Sequence, residues 1–232
     1  MIDATVVYYT SNAERPEFEA KIVANLIAVS GELPIVSVSQ KPMDLGTNIC
    51  VGNVGKCYAN GYRQLTIGIE AAKTEWIIVA ESDCLYPPQY FTHPPKPLAE
   101  CHTGLHRYNN VWILWTADCP RVGDKRTAGF WRKEFTEGAQ MAPREDYLYR
   151  MNKTLQGRPT WHTPDDPWQP SWTLPYYYKK RQWEWYGTKD QPAVSFKTGY
   201  GVHLNTGTLK EGTPVNELPY WGTADDLRKR ME

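Results

Sequence analysis

Five consecutive apolar residues, Trp76-Ile77-Ile78-Val79-Ala80, run directly into Glu81-Ser82-Asp83. A short apolar run with no polar alternation is the pattern of a strand covered on both faces. Such strands belong to parallel sheets flanked by helices. The residues ahead of it agree. Thr5 to Tyr9 is β-branched and aromatic, reads as a strand, and ends in the turn residues Thr10-Ser11-Asn12. Pro16 suits the first turn of a helix in which Phe18, Ile22, Leu26 and Val29 recur near helical spacing, with Gly31 as its stop. Ile35 to Val38 reads as a second strand and Gln40 to Gly55 as a polar loop. Tyr58 to Lys73 reads as a second helix with Tyr62, Leu65 and Ile69 on one face. Strand, helix, strand, helix, strand predicts an α/β fold whose parallel sheet binds ligands at its carboxyl edge. That edge carries Thr10-Ser11-Asn12, Ser39-Gln40-Lys41 and Glu81-Ser82-Asp83.

The second half is less periodic. Val111 to Thr116 reads as a strand and Glu145 to Leu155 as a helix; from Gly157 to Pro192 the chain is dense in Trp, Tyr and Pro. No internal repeat or low-complexity linker divides it, so one domain spanning 1–232 is the simplest organisation. Lys and Arg total 26, as do Asp and Glu, so no global charge draws the chain to nucleic acid or acidic lipid. No run of 18 apolar residues is present, which excludes a membrane-spanning helix of the usual kind. Met1 to Tyr9 has no basic stretch leading into a long apolar one. The five cysteines are odd in number with no CxxC pair, and reduced thiols in a cytoplasmic protein are expected. The oligomeric state is left open.

Glu81 and Asp83 carry the most chemical information. Two acids at the lip of a sheet repel one another unless a cation or a donor-rich ligand compensates. Hard ions such as Mg²⁺ and Mn²⁺ take one or two carboxylates together with substrate phosphate oxygens. The pattern alone is equally that of a solvated turn. Other motifs fail. Gly52-Asn53-Val54-Gly55-Lys56-Cys57 has Cys50 and Cys57 where a P-loop needs Gly and Ser or Thr, and no GxGxxG follows the first strand. His102 and His106, with Cys101 and Cys119, lack familiar zinc spacing.

The stretches 6–12, 34–42, 63–72 and 76–88 resemble the GT-A-fold glycosyltransferases, and Leu85-Tyr86-Pro87-Pro88 after the acidic motif resembles a phage and bacterial branch of them. That family usually shows Asp-x-Asp or Glu-Asp-Asp; here Glu81 and Ser82 precede an intact Asp83. The resemblance implies a GT-A single domain with a mostly parallel central sheet. Residues 1–100 would bind the nucleotide sugar, and an aromatic-rich 101–232 half would bind the acceptor. It implies a UDP-sugar donor and a Mn²⁺ or Mg²⁺ cofactor on Asp83 and a late His, His203, with Lys210 gripping the diphosphate. Thr10, Asn12, Gln40, Gln64 and Glu81 would serve the donor. Asp146 and Glu145 are the candidate bases for the acceptor hydroxyl, with Asp118 a third. Each has a plainer reading as a cap, a helix-surface residue or a helix-dipole acid. Trp161, Trp168, Trp172, Trp183 and Trp185, with Tyr176 to Tyr178, stand among basic residues: Arg121, Lys125, Arg126, Arg132, Lys133 and Lys179-Lys180-Arg181. Rings interleaved with cations suit a nucleic-acid acceptor; the resemblance implies a hydroxymethylated pyrimidine in DNA, since that branch includes enzymes thought to glycosylate such bases. A glycan acceptor is the main alternative. Two other classes are weighed. A sugar nucleotidyltransferase needs a Gly-rich loop that 10–15 lacks; a non-catalytic carbohydrate- or nucleic-acid-binding module would need no metal.

Overall fold

The computed structural model describes residues 2–96, 100, 104–119, 129–133, 136–168, 183–202 and 213–232. In chain order the elements are β1 (Ala4–Thr10), α1 (Pro16–Ser30), β2 (Ile35–Ser39), β3 (Thr47–Cys50), α2 (Tyr58–Ala71) and β4 (Trp76–Glu81). Then follow β5 (Cys84–Leu85), α3 (Gln89–Thr92), β6 (His106–Tyr108), β7 (Val111–Trp115), β8 (Trp131–Lys133), β9 (Gln140–Pro143) and α4 (Arg144–Thr154). The chain closes with β10 (Glu184–Tyr186), β11 (Ala193–Lys197), β12 (Glu217–Leu218), β13 (Gly222–Thr223) and α5 (Ala224–Met231).

The expected α/β architecture is present. A seven-stranded sheet runs β10-β6-β9-β4-β1-β2-β3. β4, β1, β2 and β3 are mutually parallel, and β9 enters antiparallel beside β4. Period-two alternation divides the core. Val6, Tyr8, Ile78 and Ala80 share one cluster with Phe18, Ile22 and Leu26 of α1. Val7, Ile77 and Val79 share the other with Tyr62, Leu65 and Ile69 of α2 and Tyr147 and Met151 of α4. Every residue from Trp76 to Ala80 is therefore buried, which is why that run shows no alternation. α2 crosses β1 closely: a Cβ on Gly68 would lie 2.3 Å from Val7 Cγ1. Gly68→Ala is expected to destabilise by about 1–2 kcal/mol, the overpacking cost exceeding the gain in helix propensity, as read by urea denaturation.

The region read as a polar loop holds β3. Asn48 donates to Ser37 Oγ and Ser39 Oγ, each at 2.9 Å, so a polar edge strand is tied to β2 through side chains as well as backbone. A second sheet, β5-β11-β7-β8, lies beyond the acidic turn, with Ser195 of β11 opposite Cys84 of β5. β2 and β3 lie on one side of β1 and β4 on the other. The order of strand addition reverses at β1, and the carboxyl ends of β1 and β4 flank the crevice where ligands of such sheets bind.

Candidate functional site

Glu81 ends β4, Ser82 and Asp83 turn, and Cys84 opens β5. Tyr9 faces Glu81 across the β1–β4 register, and its hydroxyl donates to Glu81 Oε1. The Glu81 N–H donates to Tyr86 Oη at 3.0 Å, and Tyr86 donates to the Gly138 carbonyl at 2.5 Å. The Phe196 N–H donates to the Asp83 carbonyl at 2.7 Å, so the turn is stitched to β11. Ligand atoms of Glu81, Asp83 and Cys84 lie within 4.8 Å of one another.

Burial first, and then the Asp83 charge, push the Glu81 carboxyl up to about 7. Burial, with Asp83 and Glu81 behind it, also holds the Cys84 thiol well above its ordinary range, so it stays protonated. The Cys84 thiol is turned onto Asp83 Oδ1 at 3.4 Å, and the two carboxylates make the donor set mainly one of hard oxygens. It fits Mg²⁺ or Mn²⁺ better than zinc.

These acids form one wall of a cleft of about 780 Å³. Tyr58, Gly61 and Tyr62 of α2 line it on another side, and Lys133, Ser195 and Lys197 of the second sheet on a third. Among the described residues neither Lys133 nor Lys197 has an ion-pair partner. Burial lowers the Lys133 pKa, and the Lys197 charge lowers it further. One cleft thus concentrates charge of both signs, with Lys133 and Lys197 outside any ion pair among the described residues.

Glu14, in the turn after β1, lines the same cleft and is 8% exposed. Its Oε1 accepts from Thr198 Oγ1 at 2.9 Å, while Oε2 is buried without a partner. Burial and then Asp83 raise its pKa from 4.5 to about 7. Between those values the unfolded chain has released the proton and the folded chain has not, so stability falls as pH rises through that window. Glu14→Gln should therefore stabilise the protein at pH 8 by up to about 3 kcal/mol, and the gain should vanish below about pH 4.5. Thermal melts at the two pH values check it.

The residues expected to serve the site divide. Glu81, Asp83 and Thr10 meet at the cleft, and Gln64 reaches it from α2. Gln64 is spent on the frame: Nε2 donates to the carbonyls of Thr10 (2.7 Å) and Val38 (3.1 Å). Asn12, at φ 50°, accepts the N–H groups of Gln40 and Lys41 on Oδ1. Gln40 clamps the 51–55 loop through Val54 N–H and the Gly55 carbonyl. Asn12 and Gln40 do not line the cleft; they fix its rim. His203 and Lys210 lie outside the described residues, as do His102, Cys101 and the whole of 169–182, with Trp172 and Tyr176 to Tyr178.

Glu145 and Asp146 are corrected. β9 runs antiparallel to β4 with Pro143 opposite Trp76, so the chain leaves β9 where β4 begins. α4 starts at that edge, roughly 16 Å along the strand from Glu81 at about 3.3 Å per residue. Glu145 pairs with Arg144 at 2.5 Å and Asp146 with Arg150 at 2.5 Å. Asp118 pairs with Arg15 at 3.4 Å and does not line the cleft. His106 is no zinc ligand in this arrangement: Nδ1 faces the Gly104 carbonyl at 3.1 Å and Nε2 accepts from Lys96 N–H at 3.2 Å. Lys197, Glu14 and Glu137 were not singled out from the sequence, and Lys133 was placed among acceptor-side cations.

No protein-family model matches this sequence, and no curated protein does. Among solved structures, the chain is similar to a glycosyltransferase involved in glycosylation of the major capsid of PBCV-1. Identity is 14% and the TM-score 0.46, over 83% of this chain and 91% of that one. It is also similar to GalNAc-T7 with UDP, GalNAc and Mn²⁺, at 11% identity and a TM-score of 0.44, over 64% of this chain and 36% of that one. A third is the apo form of the glycosyltransferase GlyE of Streptococcus pneumoniae, at 11% identity and 0.46, over 81% and 46%. The chain thus spans less than half the length of two of these three. No helix among the described residues is long and apolar enough to cross a membrane.

Proposed function

We propose that the protein is a divalent-metal-dependent glycosyltransferase that moves a sugar from a nucleotide sugar, UDP-linked in the first instance, to an acceptor hydroxyl. One observation carries this reading: hard carboxylate oxygens and unpaired ammonium groups line a single cleft at the switch point of the sheet. A metal–diphosphate complex satisfies both walls at once. Asp83 would hold the cation, with Glu81 behind it, and His203 is retained as a further ligand. When bound, the cation supplies neutralisation of the charge that builds on the departing diphosphate. Lys133 and Lys197 would offer their ammonium groups to the phosphate oxygens, and Lys210 is carried as a third cation. Thr10 and the start of α2 take the nucleoside side of the cleft. We treat 1–232 as one domain because β9 and β11, from the second half, complete both sheets.

For the acceptor we carry a hydroxymethylated pyrimidine in DNA as the first candidate and a glycan as the second. Arg63 lies 5.9 Å from the Trp161 ring and Arg158 4.8 Å from that of Trp168, ring-and-cation pairs that suit a flat base or a sugar face. The cytoplasm is the proposed location, in keeping with free thiols at Cys50, Cys57, Cys84 and Cys119. Incubation with UDP-glucose, UDP-galactose and UDP-GlcNAc, with Mn²⁺ or with EDTA, tests the reading by released UDP. Metal-dependent release from at least one donor is expected; nucleotide binding that ignores EDTA, without release, would favour a binding module. Offering hydroxymethylated and unmodified DNA in parallel then separates the acceptors by mass gain.

A further inference from the structure

We infer that Glu137 is the catalytic base that takes the proton of the acceptor hydroxyl; this rests on the glycosyltransferase reading above. Glu137 lies in the turn before β9 and lines the cleft with Glu81 and Asp83. Its position is firmly set. Tyr62 Oη of α2 donates to Glu137 Oε2. The neighbouring Gly138 carbonyl accepts from Tyr86 at 2.5 Å, and the Ala139 N–H donates to the Thr136 carbonyl at 3.3 Å. Gly138 packs so tightly on the metal-motif acid that a Cβ there would lie 2.0 Å from Glu81 Oε2. The turn carrying Glu137 is thereby held in a fixed relation to the turn carrying Asp83, as a base that must meet the acceptor on the sugar face opposite the leaving group has to be.

The other cleft acids are engaged. Glu81 holds Tyr9 and abuts Gly138. Asp83 belongs to the cation. Glu14 accepts from Thr198, and its second oxygen is sealed from solvent. Glu137 Oε1, by contrast, has no partner among the described residues. In the step, the acceptor oxygen forms a bond to the anomeric carbon and its proton passes to Glu137 Oε1. The bond from that carbon to the diphosphate oxygen breaks, and its electron pair leaves with the nucleotide. Tyr62 is the positioning residue that holds the opposite carboxylate oxygen. Direct attack of this kind inverts the anomeric configuration.

The test uses the full chain, Mn²⁺ and the UDP-sugar that the donor screen selects, with water as acceptor. Glu137→Gln should lower kcat for UDP release by about 100-fold or more, the usual share of a general base, while Kd for UDP with Mn²⁺ moves by less than about two-fold. Tyr62→Phe should lower kcat by about ten-fold with the same unchanged Kd. Proton NMR of the first product formed should show inversion. The assignment is overturned if Glu137→Gln keeps more than about a tenth of kcat, if its loss appears wholly in Kd, or if the product retains configuration. A wild-type protein that neither binds UDP with Mn²⁺ nor releases it would instead overturn the donor reading, and this assignment with it.

Discussion

Asp83→Asn should abolish metal-dependent turnover, by about three orders of magnitude or ~4 kcal/mol of transition-state stabilisation, and leave the fold intact. The substitution keeps the shape of the turn, whose link to β11 runs through the Asp83 backbone carbonyl. What it removes is charge. Asp83 is the second cause, after burial, of the raised carboxyls of both Glu81 and Glu14. Without it both groups ionise more readily, so the metal-free variant should be the more stable protein at pH 8, by roughly 1 kcal/mol. Activity lost and stability gained in one variant is the signature of a charge kept for a ligand. Steady-state kinetics with and without Mn²⁺, together with thermal melts, read the two halves. A variant that is inactive because it unfolds, or active with unchanged metal dependence, would contradict the account.

Lys133→Ala and Lys197→Ala should each weaken UDP binding by about 10- to 100-fold, the value of a charge-assisted hydrogen bond to phosphate. Lys133→Arg should keep most of the affinity, because it keeps the charge. The loss should shrink when the ligand is uridine, which carries no phosphate. Calorimetric titration of UDP and uridine into each variant separates these outcomes. An equal loss for both ligands would assign the lysines to the shape of the cleft rather than to the diphosphate. Lys133 also faces Glu81 and Asp83, whose charges raise its pKa against burial. Burial and the Lys197 charge outweigh that pull and leave the pKa lowered, so removing this charge should raise metal-free stability, the same sign as Asp83→Asn.

The acidic wall of the cleft was legible because burial on both faces gives β4 an unbroken apolar run, and the sheet rule places the acids that follow it at the carboxyl edge. The same rule does not place Lys197. It ends Ala193 to Phe196, a run like any other, and reaches the cleft only because β11 pairs with Cys84 and Leu85, more than a hundred residues away. Glu145 and Asp146 failed on one fact that sequence does not carry, the direction of β9. A parallel strand would have delivered the start of α4 to the cleft; the antiparallel strand delivers it to the opposite edge. Asn12 and Gln40 lie near the ligand edge, yet Asn12 Oδ1 and the Gln40 amide are spent on backbone groups. Both act as loop clamps, a role the sequence did not suggest. α5 carried its own signal, since Thr223 caps it by accepting the Asp226 N–H at 3.2 Å.

The central claim is a divalent cation between the acidic turn and a diphosphate. Crystals grown with UDP and Mn²⁺ and measured at a wavelength where manganese scatters anomalously test it most directly. The account predicts an anomalous peak against the Asp83 carboxylate, with the diphosphate between it and the ammonium groups of Lys133 and Lys197. UDP bound in the cleft with no manganese beside Asp83 would contradict it.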